Sequence, residues 1–248
     1  MFLARTFRNL LAKSNTTLLS RPSSTTNNRQ RVELLHEHIV RTVRTSNHRD
    51  PLTTANTDIV PIVLLGDSRL YEECTAVTSD TLTKKQTLLL ARQLCATAAA
   101  WNAFGLAAPQ IGHMVRMFVI VHDWKSAMKY SLTTPEDYQV YINPQVDAPC
   151  LLHKMVENEE RCLSIPGFQG TVVRPDCINV SYVDGGTDHE VKTNAGEAKN
   201  GRRRNHKRIK KSFSSYQAAI FQHELDHLDG IVYLDRMDDI EQVVQHDD

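Results

Sequence analysis

Nowhere in its 248 residues does this sequence approach eighteen consecutive apolar side chains, so no transmembrane helix and no membrane insertion are expected. It also lacks a net charge. Lys+Arg and Asp+Glu stand at 29 each, which removes whole-chain electrostatics as an argument for a nucleic-acid or lipid partner. The five cysteines, Cys74, Cys95, Cys150, Cys162 and Cys177, are odd in number, and no two share a CxxC spacing. A disulfide framework is therefore not expected, and a reducing compartment is. Cys95, Cys150 and Cys177 read as small buried hydrophobes. Apolar residues, at 41%, suffice for one ordinary core but are lean enough to leave part of the chain outside it.

Acid is missing from the beginning. The first carboxylate is Glu33, and before it come Arg5, Arg8, Lys13, Arg21, Arg29 and Arg31 among many Ser and Thr. Phe2, Leu3, Phe7, Leu10 and Leu11 can share one helical face. Residues 1–30 thus have the composition of a mitochondrial transit peptide. A helix over 31–44, with Val32, Leu35, Ile39 and Val43 on one face, and a polar linker reaching residue 58 are expected next. The catalytic domain is placed at 59–237, and 238–248 is a polar C-terminal tail.

Within the domain, residues 81–103 read as a long helix capped by Ser79 or Asp80, and 116–121 as a buried strand. A surface excursion follows over 123–137. Strands are expected at 140–142, 151–156, 171–173, 178–183 and 189–192, then a helix over 212–229 stopped by Gly230, and a last strand at 231–234. The run 194–211 holds eight Lys or Arg against the single acid Glu197, and reads as an exposed basic loop. Short strands around two helices give an α+β fold rather than a βαβ repeat.

Chemistry concentrates in His223-Glu224-Leu225-Asp226-His227. Residues four apart share a helical face, so the two imidazoles can bind one metal ion while Glu224 serves as acid/base. On an exposed helix the same letters would be a row of solvated carboxylates. The flanks argue otherwise, because Ala218, Ala219, Ile220 and Phe221 precede the motif and Ile231, Val232 and Leu234 follow it. Charge on a buried helix needs a partner or a metal. Cys162 is the candidate third ligand, leaving a fourth position open, as catalytic sites require. Ligand softness alone points to zinc.

With Ala103-Phe104-Gly105-Leu106-Ala107-Ala108-Pro109-Gln110 and Glu160-Arg161-Cys162-Leu163-Ser164 added, the sequence resembles the peptide deformylases, whose motifs run GxGLAxPQ, EGCLS and QHExDHLxG in that order. Residues 66–70 are similar to an early family segment, and the likeness covers roughly 59–236. The resemblance implies an α+β domain of short mixed or antiparallel sheets packed around a central HExxH helix. It implies hydrolysis of the formyl group of N-formylmethionyl nascent polypeptides. It further implies one divalent ion, Fe²⁺ in preference to Zn²⁺, Ni²⁺ or Co²⁺, on Cys162, His223 and His227. Gln110 and the backbone N–H of Leu163 would hold the oxyanion. Phe104, Gly105, Glu160, Arg161, Tyr216 and Ala219 are the expected substrate contacts, the methionine pocket taking Phe104, Tyr216 and Ala219.

Three positions depart from the pattern: Ala103 and Arg161 replace glycines, and Gln169 stands where many relatives carry arginine. Altered peptide specificity or reduced activity is one consequence, with Arg161 as a replacement cation. A non-enzymatic ribosome or nascent-chain binder is a further reading, with the basic loop meeting mitochondrial ribosomal RNA. A zincin protease fits less well, since His246, in the polar tail, is the only histidine after His227.

Overall fold

The run 117–121 is apolar without alternation because it is covered on both faces. In the computed structural model, strand β2 (Met117–Val121) is buried at every position. Met117, Val119 and Val121 pack into a cluster with Leu90, Leu94 and Ala98 of helix α1 (Lys84–Ala100), while Phe118 and Ile120 face Ala218 and Phe221 of helix α2 (Ser215–Leu228). Successive side chains of a strand point to opposite faces, so one strand feeds two half-cores. The structure describes residues 37–39, 41–42, 58–123, 134–185, 208–238 and 243–245. The leader 1–30, most of the expected helix 31–44, the linker before residue 58, the middle of the 123–137 excursion, the expected strand 189–192 and residues 194–207 of the basic loop lie outside them. All described residues but Glu37 belong to one unit, His38–Asp248.

Two antiparallel sheets make the frame. Five strands run in the order β1 (Gly105–Ala107), β2, β3 (Tyr138–Pro149), β6 (Cys177–Asp184) and β7 (Arg208–Ser214). Three more run in the order β4 (Met155–Arg161), β5 (Phe168–Pro175) and β8 (Val244–Gln245). Helix α2 touches strands of both sheets, the central position expected of it. Helix α1 opens at Thr83, not at Ser79 or Asp80. The Thr83 hydroxyl accepts from the Gln86 N–H and Gln86 reaches back to the Thr83 N–H, a capping box. No helix among the described residues is long and apolar enough to cross a membrane.

Several expectations are corrected. Leu151 and Leu152 are almost fully exposed in a turn rather than starting a strand, and β4 begins only at Met155. Residues 208–211 are not loop but the first half of β7, whose Ile209 and Phe213 reach the α2 half-core. The expected strand at 231–234 is replaced by a 3-10 turn, Tyr233–Arg236, which the Asp235 carboxylate closes by accepting from the Val232 N–H. The C-terminal segment is not all tail, since Val243 is buried and β8 pairs with Phe168 and Gln169 of β5.

Cys150 and Cys177 are disulfide-bonded, against the expectation for both. The register of β3 on β6 places Pro149 opposite Ile178, so the next pair outward is Cys150 and Cys177, with Cα atoms 5.3 Å apart. A separation of 27 residues hid a pairing that only the ladder creates. The double variant Cys150→Ser/Cys177→Ser should lose about 3 kcal/mol. Urea midpoints check this: the variant should fall below the parent without reductant and meet it when dithiothreitol is present.

Candidate metal centre and active-site cleft

Helix α2 starts after β7 at Ser215, whose φ of 55° makes the bend, and stops at Gly230, whose φ is 70°. A Cβ at Gly230 would lie 2.7 Å from the backbone of Tyr71, so glycine is required there by contact as well as by conformation. One turn apart on this helix, His223 and His227 bring their ring centroids to 5.0 Å. Cys162 directly follows β4, and its Sγ lies 3.2 Å from His227 Nε2. The ligand atoms of all three residues fall within 4.8 Å of one another. Donors around a tetrahedral Zn²⁺ at 2.0–2.3 Å stand roughly 3.5 Å apart. The set therefore fits a divalent cation. Two buried atoms beside it, Glu224 Oε2 and His227 Nδ1, make no hydrogen bond among the described residues.

The surroundings hold these ligands in place. Glu160 Oε2 accepts from His223 Nδ1 at 2.8 Å and from Arg174 Nη2 at 3.0 Å, while Arg174 Nε takes Oε1. Arg174 Nη1 also reaches Asp226 Oδ2 at 2.8 Å, and Arg236 caps the other oxygen of Asp226 at 2.7 Å. Burial would raise the Glu160 carboxyl, but hydrogen bonds from His223 and Arg174 outweigh it and hold the group down at about 2. The Nδ1–H of His223 is thereby committed, which turns Nε2 toward the centre. Among the described residues no cation hydrogen-bonds Glu224, and burial pushes its carboxyl up to about 7 against the weaker pull of His223 and Arg174. That value suits a group that must take a proton and return it.

Gln110 sits in a 3-10 turn, Ala108–Ile111, at the end of β1. Its Oε1 accepts from the Ala107 N–H at 2.8 Å, which assigns the amide: Nε2 points to Cys162 Sγ at 3.3 Å and Ser164 Oγ at 3.2 Å. Phe104, Gly105, Gln110, Arg161, Leu163, Tyr216, Ala219, His223 and Glu224 all line one cleft. Phe104 meets Tyr216 edge to face at 5.5 Å, next to Ala219 on the same wall. Glu160 borders the cleft too, and its two carboxylate oxygens are taken by His223 and Arg174.

A sequence profile described as polypeptide deformylase matches residues 59–243. The chain belongs to this family. It is 30% identical over 183 residues to a peptide deformylase 2 from Nostoc sp., covering 74% of this chain and 88% of that one. It is 34% identical over 179 residues to a peptide deformylase from Chlorobium limicola, covering 72% and 80%. Its fold is similar to a class I type b peptide deformylase from Acinetobacter baumannii solved with Met-Ala-Ser bound. There the TM-score is 0.56, with 24% identity over 72% of this chain and 98% of the other. The protein is thus a hydrolytic enzyme of a family that removes the N-terminal formyl group.

Sequence reasoning overlooked Arg174 and Arg236, and gave Asp226 no role in the site. The buried helix demanded cations for its acids, yet nothing in the spacing chose these two from 29 Lys and Arg. Gly105 gains a reason of its own. A Cβ there would lie 2.5 Å from Glu224 Oε1 and 2.8 Å from its Cδ. Gly105→Ala should therefore displace the Glu224 carboxylate and lower kcat about 100-fold, with a Tm within a few degrees of the parent. Steady-state kinetics beside a thermal melt read both numbers.

Proposed function

We propose that this deformylase acts on the N-formylmethionine of nascent polypeptides in the mitochondrion, with one divalent ion on Cys162, His223 and His227. The reading is carried by the convergence of one thiol and two imidazoles beside a buried carboxylate that makes no ion pair among the described residues. When bound, the ion supplies Lewis acidity toward water and the formyl oxygen. Glu224 takes the proton of the attacking water and delivers it to the leaving amine as the C–N bond breaks, so that formate and a free N-terminus result. The Gln110 amide, fixed by the Ala107 N–H, and the Leu163 backbone N–H donate to the developing oxyanion. Phe104, Tyr216 and Ala219 offer the methionine side chain an apolar wall.

Iron is favoured over zinc, nickel and cobalt by family resemblance, and a thiolate with two imidazoles accommodates each. The acid-free leader supports mitochondrial import. Protein purified anaerobically should contain about one divalent ion per chain and release formate from formyl-Met-Ala-Ser but not acetate from acetyl-Met-Ala-Ser. A preparation that holds the ion yet releases no formate would overturn the reading. A reporter fused behind residues 1–30 should enter mitochondria, and a cytosolic reporter would remove the organellar part.

A further inference from the structure

The cleft carries a cation that neither the metal centre nor the proposed chemistry uses. Arg161 ends β4 directly before Cys162, and the strand register sets it opposite Gln169 of β5. Its Nε and Nη2 both donate to Gln169 Oε1, at 3.0 and 2.7 Å. Gln169 is only 6% exposed, so the acceptor is fixed, and it holds one edge of the planar guanidinium. Nη1 meets no acceptor among the described residues, and no carboxylate there lies within ion-pair distance of the group. Glu159, two residues earlier on the same strand face, makes no ion pair with it, and Glu160 is already taken by Arg174 and His223. Arg174 shows what this fold does with a buried arginine: it receives two carboxylates. Arg161 instead receives a neutral amide, which orients the fork and leaves its charge unspent.

We propose that Arg161, aimed by Gln169, is a specificity-determining residue that binds a side-chain carboxylate in the first residues after the formylmethionine, making acidic peptides the preferred substrates. The inference rests on the deformylase reading for the peptide's register, since Arg161 adjoins the metal-ligating Cys162. Guanidinium matches carboxylate through paired N–H donors, and its remaining donors are enough for such a pair. Arg161 itself is exposed, so water screens the pair and the expected gain is moderate, about fivefold.

The test compares kcat/KM of the metal-loaded enzyme on C-terminally amidated formyl-Met-Glu-Ser and formyl-Met-Gln-Ser, and on formyl-Met-Ala-Glu and formyl-Met-Ala-Gln. Within each protein the acid-to-amide ratio is independent of the active fraction. The parent should favour the acid about fivefold in at least one pair, mainly through KM, and lose the preference in high salt. Arg161→Gln should bring the ratio to about one, and Arg161→Lys should keep part of it. Gln169→Met, which leaves the cation but removes its support, should reduce it. A parent ratio of one, or a ratio unchanged in Arg161→Gln, overturns the proposal. Calorimetric binding of the formyl-free peptides reads the same ratio without turnover. Failure of every peptide to release formate would thus sink the deformylase reading while the binding ratio still decides the role of Arg161.

Discussion

Exchanging Glu224 for Gln should reduce formate release by about 10²–10⁴-fold while leaving metal content near the parent's. The side chain is buried, is not among the three ligands, and forms no ion pair among the described residues; burial pushes its carboxyl up to about 7 because it disfavours the charge. Gln keeps the volume, so packing against Gly105 survives. What it loses is the ability to carry a proton from water to the leaving amine. Because the change removes a proton carrier rather than a binding contact, kcat should fall far more than KM rises. Single-turnover formate release with metal analysis of the same sample measures both. A variant that kept a tenth of the parental rate would deny Glu224 its role.

The second large effect is on stability. Arg174 is 5% exposed and serves Glu160 and Asp226 together. Arg174→Met removes the cation and leaves Glu160 buried with only His223 for a partner, while Arg236 still holds Asp226. Stranding a buried charge costs roughly 3–5 kcal/mol, on the order of 10 °C in Tm for a chain of this size. Adding Glu160→Gln should recover part of that loss, because the orphaned charge goes with it. The same double variant would not recover metal affinity, since His223 loses the carboxylate that orients it. Chemical denaturation and metal titration of the single and double variants distinguish the two effects. Equal stability of Arg174→Met and the parent would show that the network is not needed to keep these acids in the interior.

Elements whose pattern repeats within a few residues were readable before any coordinates. The buried β2, the long α1 and the α2 helix stopped by Gly230 all follow from local period and punctuation. Their ends drifted by a few residues, as at Thr83, where the cap is a threonine with a glutamine three positions on. The misread segments are those where short range is ambiguous. Leu151 and Leu152 carry the letters of a strand but sit in a turn beside the disulfide, and 208–211 carry the letters of a charged loop but pair with β6 through backbone groups indifferent to the side chains. A strand needs a partner, and the partner lies outside any local window.

The site divides along the same line. The helical repeat alone put His223 and His227 on one face, because a four-residue spacing is a geometric fact of the helix, with Glu224 three residues before His227 at its edge. Cys162 lies 65 residues before His227 and reached the centre only through the joint folding of β4 and α2; its setting between an apolar segment and a turn made it the candidate, and the motif resemblance agreed, but no spacing fixed it. Arg174, Arg236 and the Cys150–Cys177 bond were decided by tertiary structure alone. Each depends on the register of one strand against another or on the burial of a particular carboxylate, and such pairings are settled by global packing and not by the order of neighbouring residues.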